Sequence, residues 1–176
     1  MWRPRGICRN MRAEIQICQL IPAEWPLFRD LRLEALRREP AQYASALSDW
    51  TALKPQDWQR RLANAPVFVC LEQGEPVGMM ALLRPQARKM AHRATLLMVY
   101  LRAAHRGAGR AEALFDAVTA YAMENGISQI ELAVSVENPR ARRFYERIGF
   151  NAIGVIPCGF RHEGRDIDEV IMLRRL

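Results

Sequence analysis

No apolar run in this chain is of membrane-spanning length. Among the longest is ATLLMVYL, residues 94–101, against the ~20 residues that a spanning helix needs; runs this short fit buried strands. The basic opening MWRPRGICRNMR is followed by no apolar segment of signal-peptide length. Residues 1–10 are expected to be a disordered extension, with Met11 equally suited as a start, and residues 11–176 a single domain. Cysteine is scarce: positions 8, 18, 70 and 158 are too few and too scattered for a disulfide framework. Cys18 and Cys70 stand in apolar, strand-like stretches, so buried thiols and a reducing, cytoplasmic setting are expected. The three histidines share no metal-ligand spacing, and no metal is expected. A formal charge of +7 favours anionic partners in general. Aromatics do not interleave with the basic residues of RPQARKMAHR, residues 84–93, so neither a nucleic-acid partner nor a membrane is expected.

What is present is an ordinary globular composition, half apolar and a quarter charged, on a chain long enough for one substantial core. Residues 14–20 alternate and read as a first strand. Trp25, Phe28, Leu31 and Leu36 recur at helical spacing until Pro40 closes the helix. A polar connection, residues 41–54, leads to a short helix over 54–65 with Pro55 in its first turn. Residues 66–83 form a hairpin about Gln73-Gly74-Glu75, and 94–101 a fourth, central strand. Ala111, Leu114, Phe115, Val118, Tyr121 and Ala122 make one apolar helical stripe that stops at Asn125-Gly126. A fifth strand follows at 128–136, a short helix at 138–149, and two last strands at 151–157 and 167–173. This order predicts an α/β (α+β) domain with a mixed sheet flanked by helices.

Two stretches carry chemistry. RGAGRA, residues 106–111, places Gly107 and Gly109 directly before a helix. Unpaired amides and the positive end of the helix dipole meet there, and glycine lets an anion approach the backbone. No Gly-Lys-Ser/Thr follows, which excludes a P-loop, and Glu112 stands where a dinucleotide fingerprint wants glycine or alanine. The second stretch is NPRARRFYERIGF, residues 138–150. Ala141, Phe144 and Ile148 share one helical face, with Asn138 and Tyr145 at its seam. Alone, this helix reads plainly: Asn138 caps it and Tyr145 is a boundary aromatic.

Together, R-x-x-G-x-A and N-x-x-A-x-x-F-Y-x-x-x-G-F, in that order and separated by a helix and a strand, resemble the GNAT superfamily of N-acetyltransferases. The resemblance implies a central, mostly antiparallel sheet splayed between its fourth and fifth strands, with acetyl-CoA (coenzyme A) as cofactor. It implies pantetheine contacts at the backbone of Val99, Tyr100 and Leu101, and a pyrophosphate on the amides of Arg106, Gly107, Ala108, Gly109, Arg110 and Ala111. Asn138 would bond the pantetheine arm, Ala141 would let it pass, and Tyr145 would be the general acid toward the leaving thiolate. Relatives that acetylate ribosomal-protein termini place a glutamate on the fifth strand where this chain has Ala133, so no base is assigned. The acceptor is expected to be a primary amine carried on a small molecule, bound near Tyr43, Asp49, Trp50, Glu163 and Asp166. A protein terminus or lysine, or a non-catalytic coenzyme A module, are the alternatives, and a homodimer is compatible with the resemblance.

Overall fold

The computed structural model describes the backbone of residues 8–12 together with residues 15–176. Among the described residues, eight strands form one sheet: β1 Cys8–Arg12, β2 Ile15–Gln19, β3 Val67–Glu72, β4 Glu75–Leu83, β5 Arg93–Leu101, β6 Gln129–Ser135, β7 Asn151–His162 and β8 Arg165–Arg175. Their order is β1-β2-β3-β4-β5-β6-β8-β7, and every neighbouring pair is antiparallel except β5 with β6. The helices are α1 Trp25–Arg38, α2 Leu47–Thr51, α3 Pro55–Asn64, α4 Arg110–Glu124 and α5 Pro139–Arg147. The mixed, mostly antiparallel sheet flanked by helices is the one expected.

Both faces carry a core, because strands buried on two sides send alternate residues to opposite layers. Ile17, Phe68, Cys70, Met80 and Leu82 meet the inner stripe of α4. Cys18, Val67, Val69, Met79 and Tyr100 meet α1, α2 and α3. On α1 the buried residues Phe28, Leu31, Arg32, Ala35 and Leu36 follow the spacing of a single helical face. Arg32 is the exception in that stripe. Its guanidinium lies 4.8 Å from the Tyr43 ring centroid and 4.5 Å from that of Trp50, so ring faces take the place of water around the cation. Burial lowers its pKa to about 10.

Four differences from the sequence reading have physical causes. Cys8–Arg12 pairs with β2, so the extension expected through residue 10 is strand from Cys8; residues 1–7 lie outside the described residues. Cys18 is disulfide-bonded rather than a free thiol, whereas Cys70 and Cys158 are free. The polar connection contains α2, whose Trp50 packs edge-on against Phe28 and lies 5.4 Å from Trp58. The final hairpin is longer than two apolar segments, since β7 and β8 extend through polar residues to the turn at Glu163-Gly164. Among the described residues, no helix is long and apolar enough to cross a membrane, and no cluster of His, Cys, Asp or Glu could hold a metal ion.

Candidate functional site

The sheet opens at its centre. β5 and β6 run parallel and pair only at Arg93–Gln129, Ala94–Ile130 and Thr95–Glu131; beyond Thr95 the strands separate. A bulge in β5 accompanies the opening, where Met98 and Val99 together stand across from Met80. Met98 has φ 55°, a left-handed conformation rare for a non-glycine residue. Past the bulge, the Tyr100 carbonyl and the Arg102 amide turn toward β4. The carbonyls of Val99 and Leu101 therefore turn toward the gap. Each already accepts one bond there, from the Tyr43 hydroxyl at 3.0 Å and from Arg106 Nε at 2.7 Å. Val99, Tyr100 and Leu101, the three residues expected to offer backbone to a cofactor, all line the cavity, but Tyr100 turns its carbonyl toward β4. Its side chain instead donates to Glu34 at 2.9 Å.

At the end of β5 the chain enters the glycine turn. Gly107 and Gly109 have φ of 81° and 77°, and a Cβ at either would meet nothing within 4 Å. Left-handed glycines in this sequence point successive amides to one side, a concavity suited to an anion. The α4 N-terminus adds the unpaired donors of its first turn and its partial positive charge. The two arginines of RGAGRA are both engaged by groups of the protein, and Arg106 also lines the cavity. Arg106 bonds the Leu101 carbonyl and pairs with Glu39. Arg110 pairs with Glu72, which also takes His105 Nδ1. The Arg106 amide is itself bonded to the Ala103 carbonyl at 3.3 Å. The amides in a position to receive an anion thus begin at Gly107.

A cavity of about 640 Å³ follows the gap, within the usual range for a small-molecule cleft. Its walls include Val99, Leu101, Gly107, Ala111, Ala133 and Tyr145. Asn138 and Ala141 also line it. The Asn138 Oδ1 caps α5 by accepting from the Ala141 amide at 3.0 Å, and its Nδ2 makes no other bond among the described residues. Tyr145 is 7% exposed rather than a boundary aromatic. Its ring lies 5.4 Å from Phe144 and 5.8 Å from Phe150. Burial alone raises its pKa above the ordinary phenol value, so the hydroxyl stays protonated at neutral pH. Ala108, Gly109 and Arg110 lie beside the cavity without forming its wall.

Of the five acceptor candidates, only Tyr43 lines the cavity. Asp49 caps α2 by accepting from the Ala46 amide at 2.9 Å. Trp50 is buried in the core of α1 and α3. Glu163 sits in the hairpin turn with φ 48°, and Asp166 pairs with Arg161 on the same exposed hairpin. Residues the sequence did not mark are Glu34, Glu39, Glu72 and Met98. Glu34 accepts two bonds of 2.8 Å from Arg102, which hold its carboxyl below the usual range. Glu72 is held down in the same way by Arg110 and His105. Their partners stand 33–68 positions away, so no local spacing could have found them.

Comparison with known proteins agrees with this geometry. The model of the acetyltransferase (GNAT) family matches residues 25–150. An uncharacterized N-acetyltransferase of Mycobacterium tuberculosis is 31% identical over 112 residues, 62% of this chain and 67% of that protein. A GNAT-family acetyltransferase from Streptococcus pneumoniae has the same fold, with TM-score 0.79 and 20% identity over 93% of this chain and 100% of that one. So has a putative acetyltransferase from Salmonella typhimurium, solved with its cofactor acetyl-CoA, with TM-score 0.77 and 19% identity over 93% of this chain and 95% of the other. The family match runs from the first residue of α1 to Phe150 and takes in both motifs; the chain belongs to the GNAT family of acetyltransferases.

Proposed function

We propose that the chain transfers the acetyl group of acetyl-CoA to a primary amine. The observation that carries this reading is one cleft with an anion-receiving glycine turn at one end and a buried, protonated phenol, Tyr145, in its wall. The residues fit the cofactor. Amides from Gly107 to Ala111 would hold the pyrophosphate, the gap-facing backbone of Val99 and Leu101 would hold the pantetheine, and Asn138 Nδ2 would donate to its arm. When bound, the thioester supplies an acetyl carbonyl open to attack by an amine. Tyr145 then gives its proton to the departing thiolate. Burial raises the phenol pKa, so Tyr145 still carries its proton at neutral pH when a thiolate forms beside it.

The expectation of a small-molecule acceptor rested on aromatic and acidic loop residues. With Trp50 in the core and Asp49, Glu163 and Asp166 outside the cavity walls, only Tyr43 remains for it. Turnover on parallel panels of small amines and peptides tells which carrier of the amine is used. The cofactor is tested by thermal stability with acetyl-CoA, using ATP and NADH as controls. At 100 times its dissociation constant a ligand adds about 2.7 kcal/mol, or about 5–10 °C in Tm for a domain of this size. A shift with acetyl-CoA alone is expected; none, with the protein folded, refutes the reading.

A further inference from the structure

The cleft has a polar outer end and an apolar throat. Gly107 stands at the outer end, and the gap-facing backbone of Leu101 and Val99 leads inward from it along β5. The throat beyond Val99 is where acetyl group and acceptor would meet. The last pair of the parallel strands is Thr95 with Glu131. Two residues on, Leu97 and Ala133 stand at one level on the two sides of the gap. Leu96, Leu97, Met98, Ala133 and Val134 all line the cavity, and Tyr145 shares a core cluster with Leu96 and Val134. The throat is therefore walled by hydrocarbon and one protonated phenol.

The carboxylates of the wall are already matched. Glu39 is paired with Arg106, which also bonds the Leu101 carbonyl, and Glu112 is paired with Arg147. Arg140 adds a further cation to the wall. Glu131, at the foot of the gap, is paired with Arg93 and stands outside the wall. Among the described residues, each carboxylate that lines the cavity thus holds a guanidinium. The polar residues of the wall that follow α1 are neutral. Tyr43 gives its hydroxyl to the Val99 carbonyl. Gln42 Oε1 is buried without a partner, an acceptor suited to an N–H that a ligand brings.

We propose that the acceptor enters uncharged: a weakly basic amine of the arylamine or hydrazine class, with its apolar body against Leu96, Leu97, Met98 and Ala133. The inference rests on the acetyl-transfer reading above and names its substrate class. An ordinary alkylamine with pKa near 10 is ammonium at pH 7 in all but about one molecule in a thousand. Taking that cation from water into a hydrocarbon throat is far more costly than taking in a neutral amine. An aryl or hydrazine nitrogen escapes the penalty, because its lone pair is delocalised or drawn toward its neighbour and stays unprotonated at pH 7.

The proton count points the same way. The neutral nitrogen bonds to the acetyl carbonyl carbon as the C–S bond breaks. Tyr145 protonates the thiolate and regains a proton from the nitrogen, which leaves as the amide. One amine proton has gone to sulfur and none is left over, so the step closes without a base. An ammonium ion brings one proton more, and among the described residues the throat holds no free carboxylate to take it.

The test measures acetylated product from wild type and acetyl-CoA between about pH 6.5 and 8.5. The acceptors are aniline and phenylhydrazine, neutral across that range, and cyclohexylamine and spermidine, protonated across it. At least one of the first two should be acetylated, with kcat/KM constant to about threefold. Any turnover of cyclohexylamine should rise about tenfold per pH unit, in step with its free base. Ala133→Glu puts a carboxylate at the level of Leu97. It should raise kcat/KM for cyclohexylamine at pH 7 by about tenfold or more and flatten its slope, with the acetyl-CoA thermal shift reporting that the variant folds and binds. A pH-independent kcat/KM for cyclohexylamine or spermidine in wild type overturns the assignment. So does a wild type that binds acetyl-CoA but acetylates neither aniline nor phenylhydrazine, or an acetyl-CoA-binding Ala133→Glu that gains nothing. A wild type with no acetyl-CoA shift instead refutes the acetyl-transfer reading itself.

Discussion

Replacing Tyr145 with Phe removes one oxygen from a buried ring, and the structure separates its effect on folding from its effect on chemistry. The hydroxyl has no hydrogen-bond partner among the described residues, and the ring keeps its packing against Phe144 and Phe150. Tyr145 lines the cavity, so deleting its hydroxyl forfeits no bond within the protein and leaves the buried ring in place. Stability should change by no more than about 0.5 kcal/mol, or ~2 °C in Tm. Turnover should fall about 10²–10⁴-fold if the phenol is the acid, which raises the barrier by about 3–5 kcal/mol. The loss should lie in kcat, with KM for acetyl-CoA unchanged, because the hydroxyl acts only as the C–S bond breaks. Thiol release followed with a chromogenic reagent, beside a thermal melt, reads both quantities. The pH dependence adds a sign. Burial raises the folded-state pKa of Tyr145, so no basic limb from its ionisation should appear below pH ~10. Above that value the unfolded chain ionises first, and stability should decline as pH rises. Unchanged kcat in Tyr145→Phe, or loss of kcat together with a Tm drop of many degrees, would refute the acid role.

Four further outcomes follow from the site's supports. Glu72→Gln weakens the carboxylate that holds Arg110 and His105 on either side of the glycine turn; it should cost about 1.5–3 kcal/mol and reduce the acetyl-CoA thermal shift, both visible in melts. Glu34 and Glu72 both have lowered carboxyl pKa values, so the stability they confer is present above pH ~4.3 and is lost as pH falls through the lowered values. An acid titration by circular dichroism should therefore flatten in the Glu34→Gln/Glu72→Gln double variant. Gly78→Ala should destabilise by about 1–3 kcal/mol, because its Cβ would lie 2.6 Å from the Tyr100 carbonyl in the paired strand. Gly109→Ala meets no neighbour, so its cost should be the left-handed backbone alone, about 1–2 kcal/mol, with a larger effect on acetyl-CoA binding than on Tm.

The parts of the fold legible in the sequence are those with a local period. The α1 stripe, the α4 stripe and the hairpin at Gly74 write their pattern within a few residues of each other. The strand Cys8–Arg12 was not legible, since CRNMR has no alternating apolar pattern and is held by pairing with β2. The Met98 bulge was hidden for a similar reason. Nothing about methionine signals a left-handed φ; the conformation is imposed by β4 on one side and the splay on the other. At the site, Tyr145 and Asn138 both line the cavity, and one helix fixes their relation. Trp50 and Asp49 were misplaced because their partners, Phe28 and the Ala46 amide, are set by the docking of α2.

The arginines of the glycine turn show how sequence and structure divide the work. Next to an anion cradle, two guanidinium groups invite assignment to the phosphates. Each is instead paired with a glutamate from a distant element, Glu39 after α1 and Glu72 at the end of β3. These pairs anchor both ends of a turn whose two glycines would otherwise lose much conformational entropy on ordering. A turn fixed beforehand presents its amides without spending binding energy on closure. Charge at the cradle then comes from backbone dipoles and the α4 N-terminus, which no mutation of a single side chain removes. Replacing Arg106 or Arg110 with Gln should therefore weaken acetyl-CoA binding through the turn's order. The salt dependence of binding should remain as in wild type, whereas a direct guanidinium–phosphate contact would make it shallower by about one released ion.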